Sequence, residues 1–424
     1  MSKLEKYPKY KDSGVEWLGE VPEHWEVKPT KRFHKNKKEI NTKRNCDNVL
    51  SLTLRGVVNN NIDSPEGLVP KDYATYQIFE KDNLVFKLID LENISTSRVG
   101  LVHEKGIMSS AYIRLKVGKN SLPRFAYYYF YNLYLNQVYN NLGSGVRSTL
   151  GPTDLLNILY IKPPKQEQTK IANYLDQKTA QIDKAISLKE QMIEKLQERR
   201  QILINDAVTK GLDPNVKMKD SGVEWLGKVP VDWEVKRLKY IFKIRKRIVG
   251  ILGYDVLSIT QKGIKIKDIT SGEGQLSMDY SKYQLVYKNE FAMNHMDLLT
   301  GYVDISKYDG VISPDYRVFT LEHRSCSKEY FLYLLQMGYK NRIFYAYGQG
   351  VSMLGRWRFP SDNFYNFFMP IPPLKEQVEI IEYIKENTQK IDKAISLQQK
   401  QIEKLKEYKA SLIDSVVTGK VRVV

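Results

Sequence analysis

The chain repeats itself, and that repeat limits its fold more than any other feature. Residues 11–28, KDSGVEWLGEVPEHWEVK, and residues 219–236, KDSGVEWLGKVPVDWEVK, agree at 15 of 18 positions at an offset of 208. IDKAISLKEQMIEKL at 182–196 and IDKAISLQQKQIEKL at 391–405 agree at 11 of 15, at an offset of 209. A period of about 210 residues is too long for a solenoid and signals duplication of a whole unit. The middles of the halves diverge. VLSLTLRGVV at 49–58 still resembles VLSITQKGIK at 256–265, and Tyr76-Gln77 aligns with Tyr283-Gln284. Similar frames around dissimilar middles read as a common mount carrying two different readers. The ordinary alternative is drift after duplication.

Each half has the same order of expected elements. From about 30 to 118, apolar and polar residues alternate and are cut by Gly, Asn and Pro, which predicts several short strands. Residues 121–142 predict a helix with Ser121 as cap, Pro123 in the first turn and Gly143 as stop. Residues 327–347 predict its counterpart, capped by Ser327 and stopped by Gly348. Thr153 and Ser361 read as caps of short helices, each followed by an apolar strand. A long helix then closes each half, over about 166–208 and 375–417.

Positions 175, 179, 182, 186, 189, 193, 196, 200, 203 and 207 read Leu, Thr, Ile, Ile, Lys, Ile, Leu, Arg, Leu, Ala. The same set 209 residues later reads Ile, Thr, Ile, Ile, Gln, Ile, Leu, Lys, Leu, Val. Steps alternating between four and three mark a coiled-coil seam. Helices this long cannot be hidden by one domain core, so the expectation is an antiparallel pair. Lys189/Gln398 and Arg200/Lys409 are expected polar layers that set register. The predicted fold class is α+β: two pseudo-symmetric globular domains separated by two long antiparallel helices. The expected boundaries are 1–165 and 211–374 for the domains, with one helix at 166–210 and the second helix and a C-terminal tail at 375–424. The closing SVVTGK resembles DAVTKG at 206–211, which leads straight into the second mount. The chain end is therefore expected beside the residues before Lys11.

Composition narrows the partner. Lys and Arg number 66 against 49 Asp and Glu, a formal charge of +17 in 424 residues. That excess points to a polyanion, either nucleic acid or an anionic surface. Two cysteines, Cys46 and Cys326, exclude a disulfide scaffold and a cysteine-rich zinc site, and suit a reducing cytoplasm. No secretory leader and no membrane span is expected.

Catalytic patterns fail on inspection. GVEWLGKV at 222–229 approaches a phosphate-binding loop but lacks the terminal Ser or Thr, and its twin has Glu20 where the lysine should be. Trp17, Trp25, Trp225 and Trp233 instead read as packing anchors of the mount. KPPK at 162–165 and PIPPL at 370–374 lack the acidic or amide residue and the aromatic of an amino-methyltransferase loop. Pro314-Asp315 has no carboxylate partner at nuclease spacing, and His24, His34, His103, His295 and His323 show no ligand pattern. The expectation is a binding protein with no active site, no metal site and no cofactor of its own.

Candidate contacts fall at matching places in the two repeats. Lys35, Lys37 and Lys38 correspond to Lys243, Arg245 and Lys246. Solvated surface is the ordinary fate of such clusters, but duplication and charge point to phosphate contact. A glycine-flanked loop follows the helix of each half. GSGVRSTLG at 143–151 offers Arg147, Ser148 and Thr149. GQGVSMLGRWRF at 348–359 offers Gln349, Arg356, Trp357 and Arg358. Glycine lets backbone approach a ligand closely, Arg reads guanine, and Gln reads adenine. Arg55, Arg98, Lys262, Lys265 and Arg317 are further candidates on strands.

The repeated KDSGVEWLG mounts, with PPKQEQ at 163–168 and PPLKEQ at 372–377 before the long helices, resemble the specificity subunit of type I restriction-modification enzymes. The resemblance spans the whole chain. It implies two target-recognition domains, each reading half of a bipartite site in double-stranded DNA. It also implies a helical spacer that sets the gap and docks two adenine-methylating subunits. Motor and nuclease subunits complete the implied complex, with S-adenosylmethionine, ATP and Mg on those partners. The chain itself is then non-catalytic and cytoplasmic. The competing class is a coiled-coil scaffold whose paired basic domains bind proteins or anionic surfaces.

Overall fold

A computed structural model describes residues 4–61, 72–92, 98–142, 149–270, 277, 279–350 and 357–423. The alternating seam is realised as two long helices, which we call α2 (Lys165–Lys210) and α4 (Leu374–Val417). At ~1.5 Å per residue each is about 65–70 Å long. The equivalent shorter helices of the two halves are α1 (Pro123–Leu135) and α3 (Lys328–Lys340). Among the described residues no helix is long and apolar enough to cross a membrane.

The chain divides into two compact units. One unit holds residues up to Glu190 together with those from Gln398 onward, and the other holds Gln191–Leu397. Every seam position of both helices is buried or half-buried, whereas Leu188, Met192 and Leu397 beside the seam are more than half exposed. In the first unit the Lys189 ammonium donates to Gln398 at 3.1 Å and also to Gln401, and Lys409 pairs with Asp183 at 2.7 Å. Partner numbers rise on one helix as they fall on the other, so these segments run antiparallel. In the second unit Arg200 faces Asp392 at 3.4 Å in the same sense. The polar layers thus pair Lys189 with Gln398, and give Arg200 and Lys409 each an aspartate.

The first unit carries an antiparallel four-stranded sheet in the order Val99–Leu101, Leu84–Phe86, Ile113–Lys116, Lys35–Asn36. The second carries its counterpart: Val303–Ile305, Phe291–Met293, Arg317–Leu321, Phe242–Arg245. Phe242, Phe291, Phe319, Phe331 and Phe364 interlock edge-to-face and stacked in the second core. Each unit repeats a second device. The side-chain amide of Gln77 donates to the carbonyls of Ser109 (3.1 Å) and Tyr112 (2.5 Å), and that of Gln284 to Ser313 (3.0 Å) and Tyr316 (2.6 Å). Both glutamines are buried, so the aligned Tyr-Gln pair fixes the turn that enters the central strand.

The mount is a two-stranded hairpin, Tyr10–Asp12 with Glu20–Pro22, repeated as Met218–Asp220 with Lys228–Pro230. Trp25 and Trp233 behind it are almost wholly buried. The Trp25 indole N–H donates to Glu167 at 3.1 Å and that of Trp233 to Glu376 at 2.9 Å, so each is tied to the root of a long helix. The other long helix ends against the same ring. Gly419 (φ +80°) packs on Trp25, and Gly211 (φ +79°) on Trp233. A Cβ at Gly419 would lie 2.5 Å from Pro22 and 2.9 Å from the Trp25 ring, and the left-handed φ also favours glycine. The chain end then pairs with its start, Leu4 opposite Val423 and Glu5 opposite Arg422.

The expected helix caps are corrected. Ser121 does not cap α1; the Leu122 N–H donates to the side chain of Gln168 at 2.7 Å. Ser327 occupies the cap position of α3, but its side chain makes no capping bond, and its N–H donates to Gln377 at 2.7 Å. A tertiary contact replaces the local one because both glutamines are fully buried at the helix root. Thr153 lies inside the short helix Pro152–Asn157, where Asp154 accepts the Gly151 N–H at 2.8 Å. Ser361 is likewise the first residue of its helix, and its cap position is Pro360. The helices predicted over 121–142 and 327–347 both break at a left-handed residue, Gln137 (φ 55°) and Arg342 (φ 55°). The break turns Tyr139 and Phe344 back into the core, where both are fully buried. Gly143 lies outside the described residues.

Gln168 and Gln377 each serve one N–H and two carbonyls: Pro163 and Asn120 for Gln168, Pro372 and Ser325 for Gln377. Replacing either by Leu strands these buried groups. We expect Gln377→Leu and Gln168→Leu each to cost roughly 2–4 kcal/mol, read as a lowered urea midpoint. Lys375→Gln, on the solvent side of the same turn, should leave the midpoint unchanged.

Candidate nucleic-acid interface

Matching hairpins bring the first pair of candidates to equivalent places. Leu50–Thr53 pairs with Gly56–Asn59, and Leu257–Thr260 with Gly263–Ile266. Arg55 and Lys262 occupy the two turns and are exposed. Their backbone N–H groups donate to Thr53 and Thr260 at 3.1 and 3.2 Å. The following glycines, Gly56 (φ +101°) and Gly263 (φ +105°), take a backbone form that L residues rarely adopt. Both units therefore hold a cation out on a rigid turn.

The edge strands carry a second group. Lys35, Lys37, Lys38, Lys243 and Lys246 are exposed. Lys246 donates to the carbonyl of Pro314 at 3.0 Å. Arg245 is half-buried and engaged with Glu322 at 2.7 Å and Thr320 at 2.9 Å. Lys265 is exposed on the hairpin, and Thr149 is exposed before Leu150, whose N–H donates to Leu88.

Two candidates turn out to be core residues. Arg98 is 1% exposed and donates to the carbonyls of Ile89 (3.2 Å) and Asp90 (2.7 Å). Arg317 is 3% exposed, donates to the Phe359 carbonyl at 2.8 Å and lies 4.7 Å over the Phe364 ring. Burial pulls its guanidinium down to about 10, still cationic at neutral pH. These arginines build the surface from beneath, tying strands to loops. Sequence gave no sign of this, because Arg on an alternating strand reads as solvent-facing.

The structure also gathers candidates that are remote in sequence. Gln349 and Arg358, both exposed, exchange backbone hydrogen bonds of 2.8 and 3.0 Å. Trp357, half-buried, donates its indole N–H to the carbonyl of Tyr345 at 2.8 Å. The next N–H, of Phe359, donates to the carbonyl of His295 at 2.9 Å. Burial, then the charges of Arg317, Arg358 and Lys246, hold the His295 imidazole down at about 3. Lys246, Arg317 and Arg358, remote in sequence, thus all lie close enough to His295 to act on its charge. Arg147, Ser148 and Arg356 lie outside the described residues. Among the described residues no group of three or more His, Cys, Asp or Glu could hold a metal ion.

The chain is thus a duplicated α+β unit with exposed cations on the matching turns and edge strands of both copies. The chain belongs to the type I restriction modification DNA specificity domain family, which matches residues 22–198 and again 230–407. It is a specificity subunit with two DNA-recognition domains separated by a long helix. It is similar to the type I restriction enzyme MjaVIII specificity subunit of Methanocaldococcus jannaschii, at 26% identity over 376 residues, covering 82% of this chain and 81% of that one. It is also similar to the putative MjaX specificity subunit of the same organism, at 23% identity over 433 residues and 96% of each chain. A solved chain from a study of type I R-M complex assembly and conformational transition has the same fold. Its TM-score is 0.67 at 13% identity, with 94% of this chain and 98% of that chain covered.

The depressed His295 value has a sign. The folded imidazole stays neutral while the unfolded one protonates near 6.5, so this stability is complete above about 6.5 and lost as pH falls toward about 3. The second unit should weaken by at most ~1.4 kcal/mol per pH unit in that window. In His295→Asn the slope of urea midpoint against pH between 7 and 5 should flatten. An unchanged slope would place the proton uptake elsewhere.

Proposed function

We propose that each unit reads one half of a bipartite site in duplex DNA, that α2 and α4 set the gap, and that the helices dock two adenine methyltransferase subunits. Motor and nuclease subunits complete the assembly, and S-adenosylmethionine, ATP and Mg act on those partners. The chain itself is a non-catalytic cytoplasmic reader. The observation that carries this reading is the pair of equivalent elements with unequal residues: Arg55 against Lys262 on matching turns, and exposed Lys37 against Arg245, which is half-buried and paired with Glu322. An identical frame with different contacts suits one docking geometry and two different half-sites. The specificity-subunit relatives support the same reading.

If both faces engage the backbone, about six to ten phosphates are contacted. Log K should then fall with log salt with a slope of about −5 to −9. Arg55→Ala and Lys262→Ala should each cut the slope by about 1 if the residue meets phosphate. Each should instead cost roughly 1–3 kcal/mol at one half-site alone if it meets a base. A slope near zero for wild type favours the protein scaffold. The purified chain alone should neither methylate nor cut DNA, and methylation should appear when cognate methylating subunits and S-adenosylmethionine are added.

The spacer has its own test. One heptad inserted near Glu194 and one near Glu403 keeps every seam position in phase. Each helix lengthens by about 10 Å at ~1.5 Å per residue. With DNA rising ~3.4 Å per base pair, the gap should grow by roughly three base pairs. Mapping methylated adenines checks this. An active variant with an unchanged gap, or with altered half-site bases, would defeat the ruler.

A further inference from the structure

A concavity lies in the second unit. It holds about 340 Å³ between the second half of α2, the end of α3 and the Leu257–Ile266 hairpin. Three cations from three elements line it: Arg200 on α2, Lys340 at the last residue of α3, and Lys262 on the hairpin turn. Tyr302, Tyr333 and Asp304 complete the wall.

The charges in this concavity are not balanced from within. Asp304 is the lone carboxylate in the lining, and both its oxygens already accept backbone N–H groups, from Ile264 at 3.1 Å and Ile305 at 2.8 Å. Among the described residues Lys340 has no ion pair. The Arg200 Nε is shielded from solvent and makes no hydrogen bond, since Asp392 at 3.4 Å is poorly aligned with it. Burial, then the neighbouring charge of Arg200, holds the Lys340 ammonium below its ordinary range. Two cations are thus kept together facing an open cavity, an arrangement that costs free energy unless an anion enters.

The first unit resolves the same positions differently. Lys409, equivalent to Arg200, is gripped by both oxygens of Asp183 at 2.7 Å. Leu135 ends α1 where Lys340 ends α3. Both seam cations have an aspartate, so Lys340 is the cation that this site adds to the duplicated frame.

We propose that this cavity binds the phosphate group of a small molecule, either inorganic phosphate or a terminal phosphomonoester. Three cations against Asp304 in the lining and Asp392 beside Arg200 leave a net positive charge, which suits an anion. A guanidinium fork with two ammonium groups suits tetrahedral phosphate oxygens. Lys262 is shared with the DNA contacts proposed above, so the tests use Arg200 and Lys340.

Calorimetric titration of the full chain with inorganic phosphate and with pyrophosphate tests this. Saturable single-site binding is expected, with sulfate competing and chloride not. Arg200→Gln and Lys340→Gln should each weaken it about tenfold or more, and Lys340→Arg should retain it. Thermal melts separate lost binding from lost folding, with Lys340→Gln as the variant outside the helix seam. Absence of saturable binding, or equal affinity in folded Lys340→Gln, overturns the proposal. If instead inorganic phosphate does not bind and both variants lower the salt slope for duplex DNA, the cavity belongs to the DNA face and the small-molecule reading is wrong. Wild type that binds phosphate but not DNA would overturn the function proposed above and leave this site standing.

Discussion

Each unit is organised around one indole ring. Trp25 donates its N–H to Glu167 at the root of α2, and the end of α4 closes over it through Gly419. Trp233 does the same with Glu376 at the root of α4 and Gly211 after α2. Each ring therefore sees the start of one long helix and the finish of the other. Burying a ring this size contributes several kcal/mol, and the charge-assisted bond fixes its orientation. Next to each glutamate stands a glutamine that bonds the loop entering α1 or α3. One dipeptide, Glu-Gln, thereby joins mount, spacer helix and domain. The frame resists divergence because almost any change there leaves a buried polar group unpaired.

The cationic faces obey a looser rule. A side chain on a turn, such as Arg55 or Lys262, can change without disturbing the core, and that freedom lets two copies of one domain hold different contacts. The buried arginines have no such freedom. Arg98 and Arg317 bond backbone carbonyls, so they fix the course of the loops they hold. Arg114, also buried, bonds Asn83 and the Ile78 carbonyl in the first unit and has the same role. An alanine at any of them would alter binding through folding, which a specificity assay alone could misread.

The duplication, the mount, the paired long helices and the two-domain class were legible because they rest on identity at a fixed offset and on a strict spacing. Arg55 and Lys262, expected on strands, sit on the turns between them, whereas Lys265 lies on a strand as expected. The helix caps were not legible. Ser121 and Thr153 have the right local chemistry, yet Gln168, 46 residues after Leu122, and the carboxylate of Asp154 take the bonds. The broken helices were not legible either, since Gln137 and Arg342 carry no turn signal. The gain there is burial of Tyr139 and Phe344, a contact that exists only once the core is formed.

Sequence by itself determined what repeats: two units, a seam for two helices, a basic charge of +17 and a family frame. Those properties follow from local spacing and composition, which need no partner in space. Tertiary structure alone decided which arginines face solvent, that Lys246, Arg317 and Arg358 surround His295, and that Arg200 and Lys340 share a cavity. The physical reason is that Coulomb interaction and desolvation depend on distance and burial. Both are set by chain segments up to some 140 residues apart, as between Arg200 and Lys340, and no pattern along the chain encodes them.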